Sequence, residues 1–167
     1  NLPPQSKIAI ISKNCAHWIM SDLAIMLSGH ISVPLYPTIP ADLIRYCLEH
    51  CDAKVAFIGK LDNWEQQRSG LPSDVKGISY PLWTEPGYEN WDDIIATHKP
   101  YTENYIPNKN TLGTIIYTSG TTGQPKGVVH SIHTFSYAAT WALSLLNDLS
   151  DNEDMKQNIK NPYRSLT

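Results

Sequence analysis

Residues 118–127 combine three kinds of residue that suit a phosphate group. Hydroxyl groups donate hydrogen bonds to phosphate oxygens, and a lysine supplies a compact positive charge. Glycines allow backbone angles and close approaches that a Cβ resists, so that consecutive backbone N–H groups can surround an anion. The residues that predict this chemistry are the hydroxylated Thr118, Ser119, Thr121 and Thr122, the glycines Gly120, Gly123 and Gly127, and the lysine Lys126.

The spacing of these residues excludes two well-known phosphate-binding loops. A Walker A loop requires G-x-x-x-x-G-K-[S/T], whereas Lys126 follows Pro125 and precedes Gly127, with no adjacent hydroxyl for Mg²⁺. The dinucleotide pattern G-x-G-x-x-G is absent from the chain as well. Because loops rich in serine, threonine and glycine also serve as linkers, the residues alone leave phosphate binding and a plain linker as alternatives.

The loop follows an apolar, β-branched run, which predicts a strand over residues 111–118. Similar runs predict further strands, and apolar periodicity and capping residues predict helices between them. The expected strands are 7–12, 31–36, 54–59, 78–83 and one from 128; the expected helices are 14–28, 41–50, 91–98 and one from Ser131 or Thr134 to 146. This alternation predicts an α/β fold with a mainly parallel sheet and helices on both faces. The loop would then lie at the carboxyl edge of the sheet, where α/β proteins bind ligands.

Four local features carry expectations of their own. Pro34 lacks a backbone N–H, which predicts that its strand lies at a sheet edge or ends there. Asn14 is the expected N-cap of the first helix. Trp18 and Trp141 are expected to be packing aromatic residues. The apolar residues of the first helix share one face, formed by Ile19, Leu23, Met26 and Leu27.

Composition narrows the classes of function. The chain has 167 residues, of which 41% are hydrophobic and 17% charged, which is enough apolar material for about one domain. The net charge is −3 and no long basic run is present, which argues against a nucleic-acid partner. No apolar run reaches the ~20 residues of a membrane span, and the first residues do not resemble a signal peptide. These features predict a cytoplasmic location.

The cysteines indicate no disulfide scaffold. There are three of them, and this odd, low count predicts a reducing compartment. Cys47 and Cys51 lie four residues apart beside His50, which raises the question of a metal site. Zinc sites need more ligands at defined spacing, so both cysteines are expected to be small apolar residues on one helix face. No metal site is expected within the chain.

The loop also resembles a known family. Residues 117–128, Y-T-S-G-T-T-G-Q-P-K-G-V, resemble the phosphate-loop signature of the AMP-forming adenylating enzymes, which include acyl-CoA synthetases, luciferases and the adenylation domains of peptide synthetases. A second stretch, V-P-L-Y-P-T at 33–38, resembles the N-terminal part of long-chain fatty acid–CoA ligases. Together the resemblance covers residues 7–54 and 112–139.

The resemblance implies an activity and its ligands. Such enzymes activate a carboxylate with ATP to an acyl-adenylate, release pyrophosphate, and pass the acyl group to the thiol of CoA. ATP, a fatty acid and CoA are therefore the expected ligands, with Mg²⁺ held mostly by residues outside this chain and peripheral membrane contact expected by analogy. Lys126 and Thr121 are the expected catalytic residues, because donors near the leaving pyrophosphate stabilise its growing charge. The residues expected to bind the phosphates are Thr118, Ser119, Gly120, Thr121, Thr122, Gly123 and Lys126.

The resemblance also implies a domain assignment. Residues 1–146 are expected to form part of the large N-terminal AMP-binding domain, with 147–167 as a polar tail or truncated end. The chain lacks the family's aromatic-Gly-x-Thr-Glu and Thr-Gly-Asp segments, its hinge and its late lysine, which normally lie downstream. We therefore expect an N-terminal piece of a longer enzyme that does not turn over alone.

Two alternatives and one departure from the family pattern stay open at this point. The alternatives are an adenylating enzyme with another acid or acceptor, such as a carrier-protein thiol, and a non-catalytic nucleotide-binding domain. The departure follows the loop, where the fatty acid ligases usually have Ser/Thr-His but this chain has Ser131-Ile132-His133. His130 and His133 are thus both candidates to approach the ligand, or are simply structural.

Overall fold

The computed structural model describes residues 2–81, 83–100, 105–119 and 123–150, the side chains of 145–150 excepted. Within these residues, strands and helices alternate along most of the chain. The strands are β1 (Lys7–Ile11), β2 (Ile31–Leu35), β3 (Ala53–Ile58), β4 (Lys76–Ser79), β5 (Glu89–Asn90), β6 (Leu112–Thr118) and β7 (Lys126–Ser131). The helices are α1 (Ala16–Leu27), α2 (Ala41–Cys51), α3 (Trp64–Gln67), α4 (Trp91–Thr97) and α5 (Ile132–Ser150), with a 3-10 turn at Arg68–Gly70.

The strands form one sheet in the order β5-β4-β3-β1-β2-β6-β7. Neighbouring strands from β5 to β6 are parallel, and β7 runs antiparallel to β6. The connections through α1 and α2 are βαβ crossovers, which parallel neighbours require. The predicted α/β fold with a mainly parallel sheet is confirmed. The antiparallel partner turns the predicted loop into the tip of a β-hairpin.

Helices cover both faces of the sheet, as predicted. On one face, Ile44 of α2 belongs to a buried apolar cluster that includes Val33 of β2. On the other face, Ile25 of α1 is buried with Ile10 of β1, and Ile94 of α4 packs against the same cluster. Because the side chains of a strand alternate between the two faces, both apolar layers draw on the same central strands.

Pro34 lies in a strand inside the sheet, so the prediction of a sheet edge is wrong, whereas the strand does end one residue later, at Leu35. The reason is the direction in which its nitrogen points. Ile31 donates its backbone N–H to the carbonyl oxygen of Ser6, on the β1 side, at 3.0 Å. The backbone N–H groups of a strand point alternately toward its two neighbouring strands, so the nitrogen of Pro34, three residues later, faces β6. The register between β2 and β6 is limited to Ser32 opposite Thr114, so no ladder bond requires the missing donor.

Helix α1 differs from its prediction in two ways. Cys15 is its N-cap and no side chain caps the first turn, so Asn14 is not the cap. The helix buries Ser21 and Ile25 against the sheet. Two residues along a helix rotate by about 200°, so the face made by the predicted apolar residues points away from the sheet. Its exposed members are Ile19, Leu23 and Leu27.

The two tryptophans named above have different surroundings. Trp18 of α1 packs against the buried cluster on its face of the sheet, as expected. Trp141 of α5 is 63% exposed, so within the described residues the expectation that it packs is wrong. Helix α5 continues to Ser150, which makes residues 147–150 of the predicted tail helical. Residues 151–167 lie outside the described residues, and the domain boundary stays a prediction.

No helix in the described part of the chain has both the length and the hydropathy to cross a bilayer.

Candidate functional site

The β6–β7 hairpin holds the phosphate-loop residues. Its last register pairs are Tyr117 with Gly127 and, outermost, Thr118 with Lys126. Apolar and β-branched residues along β6 explain why it joins the sheet interior, since such side chains pack well on a pleated surface. Residues 119–125 then connect the two strands. The loop therefore has a fixed strand at each end, one of them parallel to β2.

The described residues of the loop reach solvent. Thr118, Ser119, Gly123 and Lys126 are exposed. Gly123 has a φ of +87°, in the left-handed region that favours glycine, and no atom of the described residues lies within 4 Å of the position of a Cβ. The other predicted phosphate-binding residues, Gly120, Thr121 and Thr122, lie outside the described residues. The catalytic role of Thr121 thus stays a prediction.

Lys126 sits in β7 rather than in the loop itself. Directly opposed residues of an antiparallel pair share one face of the sheet, so its ammonium group and the Thr118 hydroxyl belong to the same side of the hairpin. Among the residues that the structure describes, the ion pairs are made by other cations, and Lys126 is in none of them. Its charge is therefore available to an anionic ligand.

A cleft of about 200 Å³ opens beside the loop end of the hairpin. It lies at the carboxyl ends of β1, β2 and β6, the edge at which α/β proteins bind ligands. Ile116 brings β6 into its wall two residues before Thr118, while Pro34 and Leu35 bring in β2. The full lining is Ser12, Asn14, Trp18, Pro34, Leu35, Tyr36, Pro37 and Ile116. Sequence reasoning missed this cleft because its walls come from three separate segments.

Tyr117 is the least exposed residue at the end of β6. Its side chain is 4% exposed and belongs to the apolar cluster under α2. Its hydroxyl donates to the carbonyl oxygen of Cys47 at 3.2 Å and lies 2.8 Å from Nδ1 of His50. Burial, and then the nearby Cys51 and Cys47 thiols, raise the pKa of Tyr117, which keeps the hydroxyl protonated. The only sequence signal for this contact was the inward position of Tyr117 in the strand pattern.

The cysteines of α2 serve packing. Cys47 and Cys51 are buried in the same cluster as Tyr117. Burial, assisted by Cys51, raises the pKa of the Cys47 thiol to about 12, and burial also raises the pKa of Cys51. Neutral thiols are poor metal ligands. In the described ranges, no three His, Cys, Asp or Glu side chains come together as a possible metal site.

The two histidines near the hairpin do not meet the loop. His130 lies in β7 opposite Thr114, four residues beyond Lys126, or about 13 Å along a strand. Its ring packs beside Phe135 at a centroid distance of 6.4 Å. His133 lies in the first turn of α5, exposed and stacked on Tyr137 at 6.4 Å. Neither imidazole is brought to the phosphate-loop end of the hairpin.

Comparison with known proteins adds sequence relatives. A protein-family model described as "AMP-binding enzyme" matches residues 1–157. Long-chain-fatty-acid–CoA ligase ACSBG2 of Xenopus laevis is 26% identical over 162 residues, covering 89% of this chain and 22% of the relative. Fatty acyl-CoA synthetase A of Dictyostelium discoideum is 31% identical over 138 residues, covering 74% and 20%. Surfactin synthase subunit 1 of Bacillus subtilis is 31% identical over 126 residues, covering 75% and 3%.

Solved structures resemble the fold. A putative long-chain-fatty-acid CoA ligase from Rhodopseudomonas palustris superposes with a TM-score of 0.68 at 22% identity, covering 89% of this chain and 36% of the other. The anthranilate CoA ligase AuaEII, solved with anthranoyl-AMP, gives a TM-score of 0.68 at 24% identity, covering 78% and 26%. The chain spans about a fifth of the length of the curated acyl-CoA synthetases it matches.

Proposed function

This chain belongs to the AMP-binding enzyme family, and we propose that it supplies the ATP-phosphate-binding part of an AMP-forming acid–CoA ligase. The observation that carries the proposal is the outermost rung of the hairpin, where the Lys126 ammonium and the Thr118 hydroxyl stand opposite each other, both exposed. A hydroxyl and an ammonium are suited to the oxygens of a polyphosphate. The family supports ATP as the nucleotide.

The proposed reaction has two steps. In the first, a carboxylate oxygen attacks the α-phosphorus of ATP, the bond to the β-phosphate oxygen breaks, and pyrophosphate leaves. In the second, the thiol of CoA attacks the acyl carbon, AMP leaves with the oxygen, and the thiol proton is released. Negative charge grows on the leaving pyrophosphate during the first step. Lys126 and the loop hydroxyls would stabilise it, because donors already in place need no reorganisation as the charge develops.

A fatty carboxylate is the substrate class that we propose. The support is the naming of the relatives, among which long-chain acyl-CoA synthetases recur. The match to a surfactin synthase subunit, at 31% identity, keeps an adenylating enzyme with a different acid or acceptor as a second candidate. Pyrophosphate exchange stimulated by palmitate but not by amino acids, in the protein that carries this chain, would separate the two.

Mg²⁺ and CoA do not enter the role we propose for these residues. The part of the chain that the structure describes contains no set of carboxylates or imidazoles that fits a metal ion. The described residues therefore have no proposed role in holding Mg²⁺ or in contacting CoA. Its own contribution is to hold the β- and γ-phosphates.

Titration of this chain with pyrophosphate and with ATP tests the proposal. We expect Lys126→Ala to weaken pyrophosphate binding at least about tenfold, the factor typical of a hydrogen bond to a charged group. Lys109→Ala is the matched control, because Lys109 is also exposed but precedes β6 at the opposite end of the sheet. Equal affinities for Lys126→Ala and the parent chain would overturn the proposal.

A further inference from the structure

The backbone pairing between the hairpin and β2 lies at the end far from the loop. Backbone register between β2 and β6 is limited to Ser32 opposite Thr114, and the Thr114 hydroxyl adds a bond to the Ser32 carbonyl oxygen at 2.8 Å. Two residues closer to the loop, this register brings Pro34 beside Ile116, and Pro34 has no N–H to donate. The loop end of the hairpin therefore needs a different attachment.

Tyr117 provides a hydrogen-bonded attachment at that end. Its hydroxyl joins β6 to the last turn of α2, through the carbonyl oxygen of Cys47 at 3.2 Å and Nδ1 of His50 at 2.8 Å. The hydroxyl has one proton, so both contacts are hydrogen bonds at once only if Nδ1 of His50 is the donor. His50 is in turn stacked on Tyr46 at a centroid distance of 5.5 Å, which orients its ring.

The same tyrosine ring contacts the other strand of the hairpin. Gly127 is its register partner in β7. A Cβ placed on Gly127 would lie 3.4 Å from the Tyr117 ring and 3.0 Å from Ile115. The bare backbone of β7 therefore packs against the ring immediately after Lys126. Because Gly127 directly follows Lys126, this contact makes the backbone position of Lys126 depend on the position of the Tyr117 ring.

We propose that Tyr117 is a positioning residue for the hairpin, holding Thr118 and Lys126 in place through hydrogen bonds to His50 and to the Cys47 carbonyl group. The use of that position to bind polyphosphate rests on the function proposed above. The attachment of the hairpin to α2 through these hydrogen bonds of Tyr117, called the anchor below, does not depend on that function.

Four versions of the chain test the anchor. Tyr117→Phe keeps the ring and removes the hydroxyl, and His50→Ala removes the donor. His50→Asn is the conservative variant, because its amide N–H takes the place of Nδ1–H. The first measurement is the imidazole ¹⁵N shift of His50, which reports which nitrogen carries the proton. We expect an Nδ1-protonated ring in the parent chain and a shift toward the usual Nε2–H tautomer in Tyr117→Phe.

The second measurement is amide hydrogen exchange along the hairpin. We expect the β7 amides that donate to β6 to exchange about two- to tenfold faster in Tyr117→Phe and in His50→Ala, the factor that one net hydrogen bond supports. His50→Asn should restore the parent rate, and Val55 of β3 should be unchanged in every variant. If hairpin exchange stays at the parent rate in Tyr117→Phe, or if His50 shows the same tautomer with and without the hydroxyl, the proposal is wrong.

Pyrophosphate affinity, measured on the same proteins, separates the anchor from the proposed function. We expect Tyr117→Phe to bind about two- to tenfold more weakly than the parent, with unchanged far-UV circular dichroism. Faster hairpin exchange together with no pyrophosphate binding by the parent would support the anchor and count against the function. Binding that depends on Lys126, with hairpin exchange and affinity untouched by Tyr117→Phe, would support the function and overturn the anchor.

Discussion

Thr118 and Lys126 are register partners at the outer end of the β6–β7 hairpin, so a hydroxyl and an ammonium stand on neighbouring strands where the loop begins and ends. Cβ atoms of directly opposed residues in an antiparallel pair lie about 5 Å apart. Two donors at that spacing are able to reach different oxygens of one phosphate group or of adjacent phosphates. The pairing of β6 with β7, rather than the residues between the two strands, sets this spacing.

The hydroxyl of Thr118 is expected to contribute to phosphate binding in its own right, apart from the preference of a β-branched side chain for a strand. Thr118→Val keeps the β-branched side chain and removes the hydroxyl, so it should bind pyrophosphate about two- to tenfold more weakly than the parent. Thr118→Ser keeps the hydroxyl and should stay near the parent value. Isothermal titration of the three proteins measures the difference. Equal affinity of the valine and serine variants would show that the hydroxyl makes no contact.

Gly123 is expected to matter for its backbone angle. Its φ of +87° places it in the left-handed region, where alanine costs about 1–2 kcal/mol, or about five- to thirtyfold in the population of the loop conformation. Gly123→Ala should therefore weaken pyrophosphate binding by that factor.

Gly87 offers a matched control for this substitution. Its φ is +86°, and, as at Gly123, no atom of the part of the chain that the structure describes lies within 4 Å of the position of a Cβ. Gly87→Ala therefore introduces the same kind of backbone strain away from the hairpin, and pyrophosphate titration should give the parent affinity. A loss of affinity in both variants would mean that general destabilisation, not loop geometry, is responsible.

Much of the fold was predictable from local patterns. Apolar runs identified β1, β3 and β6, and the periodicity of 41–50 identified α2, because these elements bury their residues against neighbours of the same domain. The phosphate-loop pattern was visible because its glycines, hydroxyls and lysine lie within ten consecutive residues, but the pattern alone left a plain linker as an alternative, and the roles of these residues stay a prediction. These features depend on short stretches of chain, which is why sequence reasoning reached them.

The errors concern relations between distant segments. Pro34 is accommodated because β6, some 80 residues later in the chain, leaves its side of β2 without a ladder bond. The apolar pattern of α1 defined a face but not its partner, and the structure turns Ser21 and Ile25 to the sheet instead. The contact between His50 and Tyr117 spans 67 residues and has no local periodicity to reveal it.

Gly70 is expected to be essential for the packing of the turn Arg68–Gly70 against α2. A Cβ at this position would overlap the backbone carbonyl group of Ala41, in the first turn of the helix. A backbone atom cannot rotate away as a side chain does, so Gly70→Ala should lower the free energy of unfolding by about 1–3 kcal/mol. Urea unfolding measures the loss. The neighbouring exposed Ser69→Ala should change it by less than about 0.5 kcal/mol.

Alkaline pH should destabilise the fold through the buried thiol of Cys47. Burial raises its pKa from 9.0 to about 12, so in that interval the unfolded chain releases a proton that the folded chain retains. The contribution of the buried Cys47 thiol to the free energy of unfolding is therefore fully present below pH 9 and is lost as the pH rises toward 12. Burial also raises the pKa values of the Tyr80 and Tyr117 hydroxyls, which makes the decline of stability with pH steeper. Urea midpoints followed by circular dichroism at pH 8, 9, 10 and 11 should show this decline.

Cys47→Ala should make the decline of the urea midpoint with pH less steep. Ile44→Val is the control, because it removes a methyl group from the same buried cluster and no titrating group; it should lower every midpoint and leave the decline with pH as steep as in the parent. A parent slope in Cys47→Ala would assign the alkaline loss to other groups.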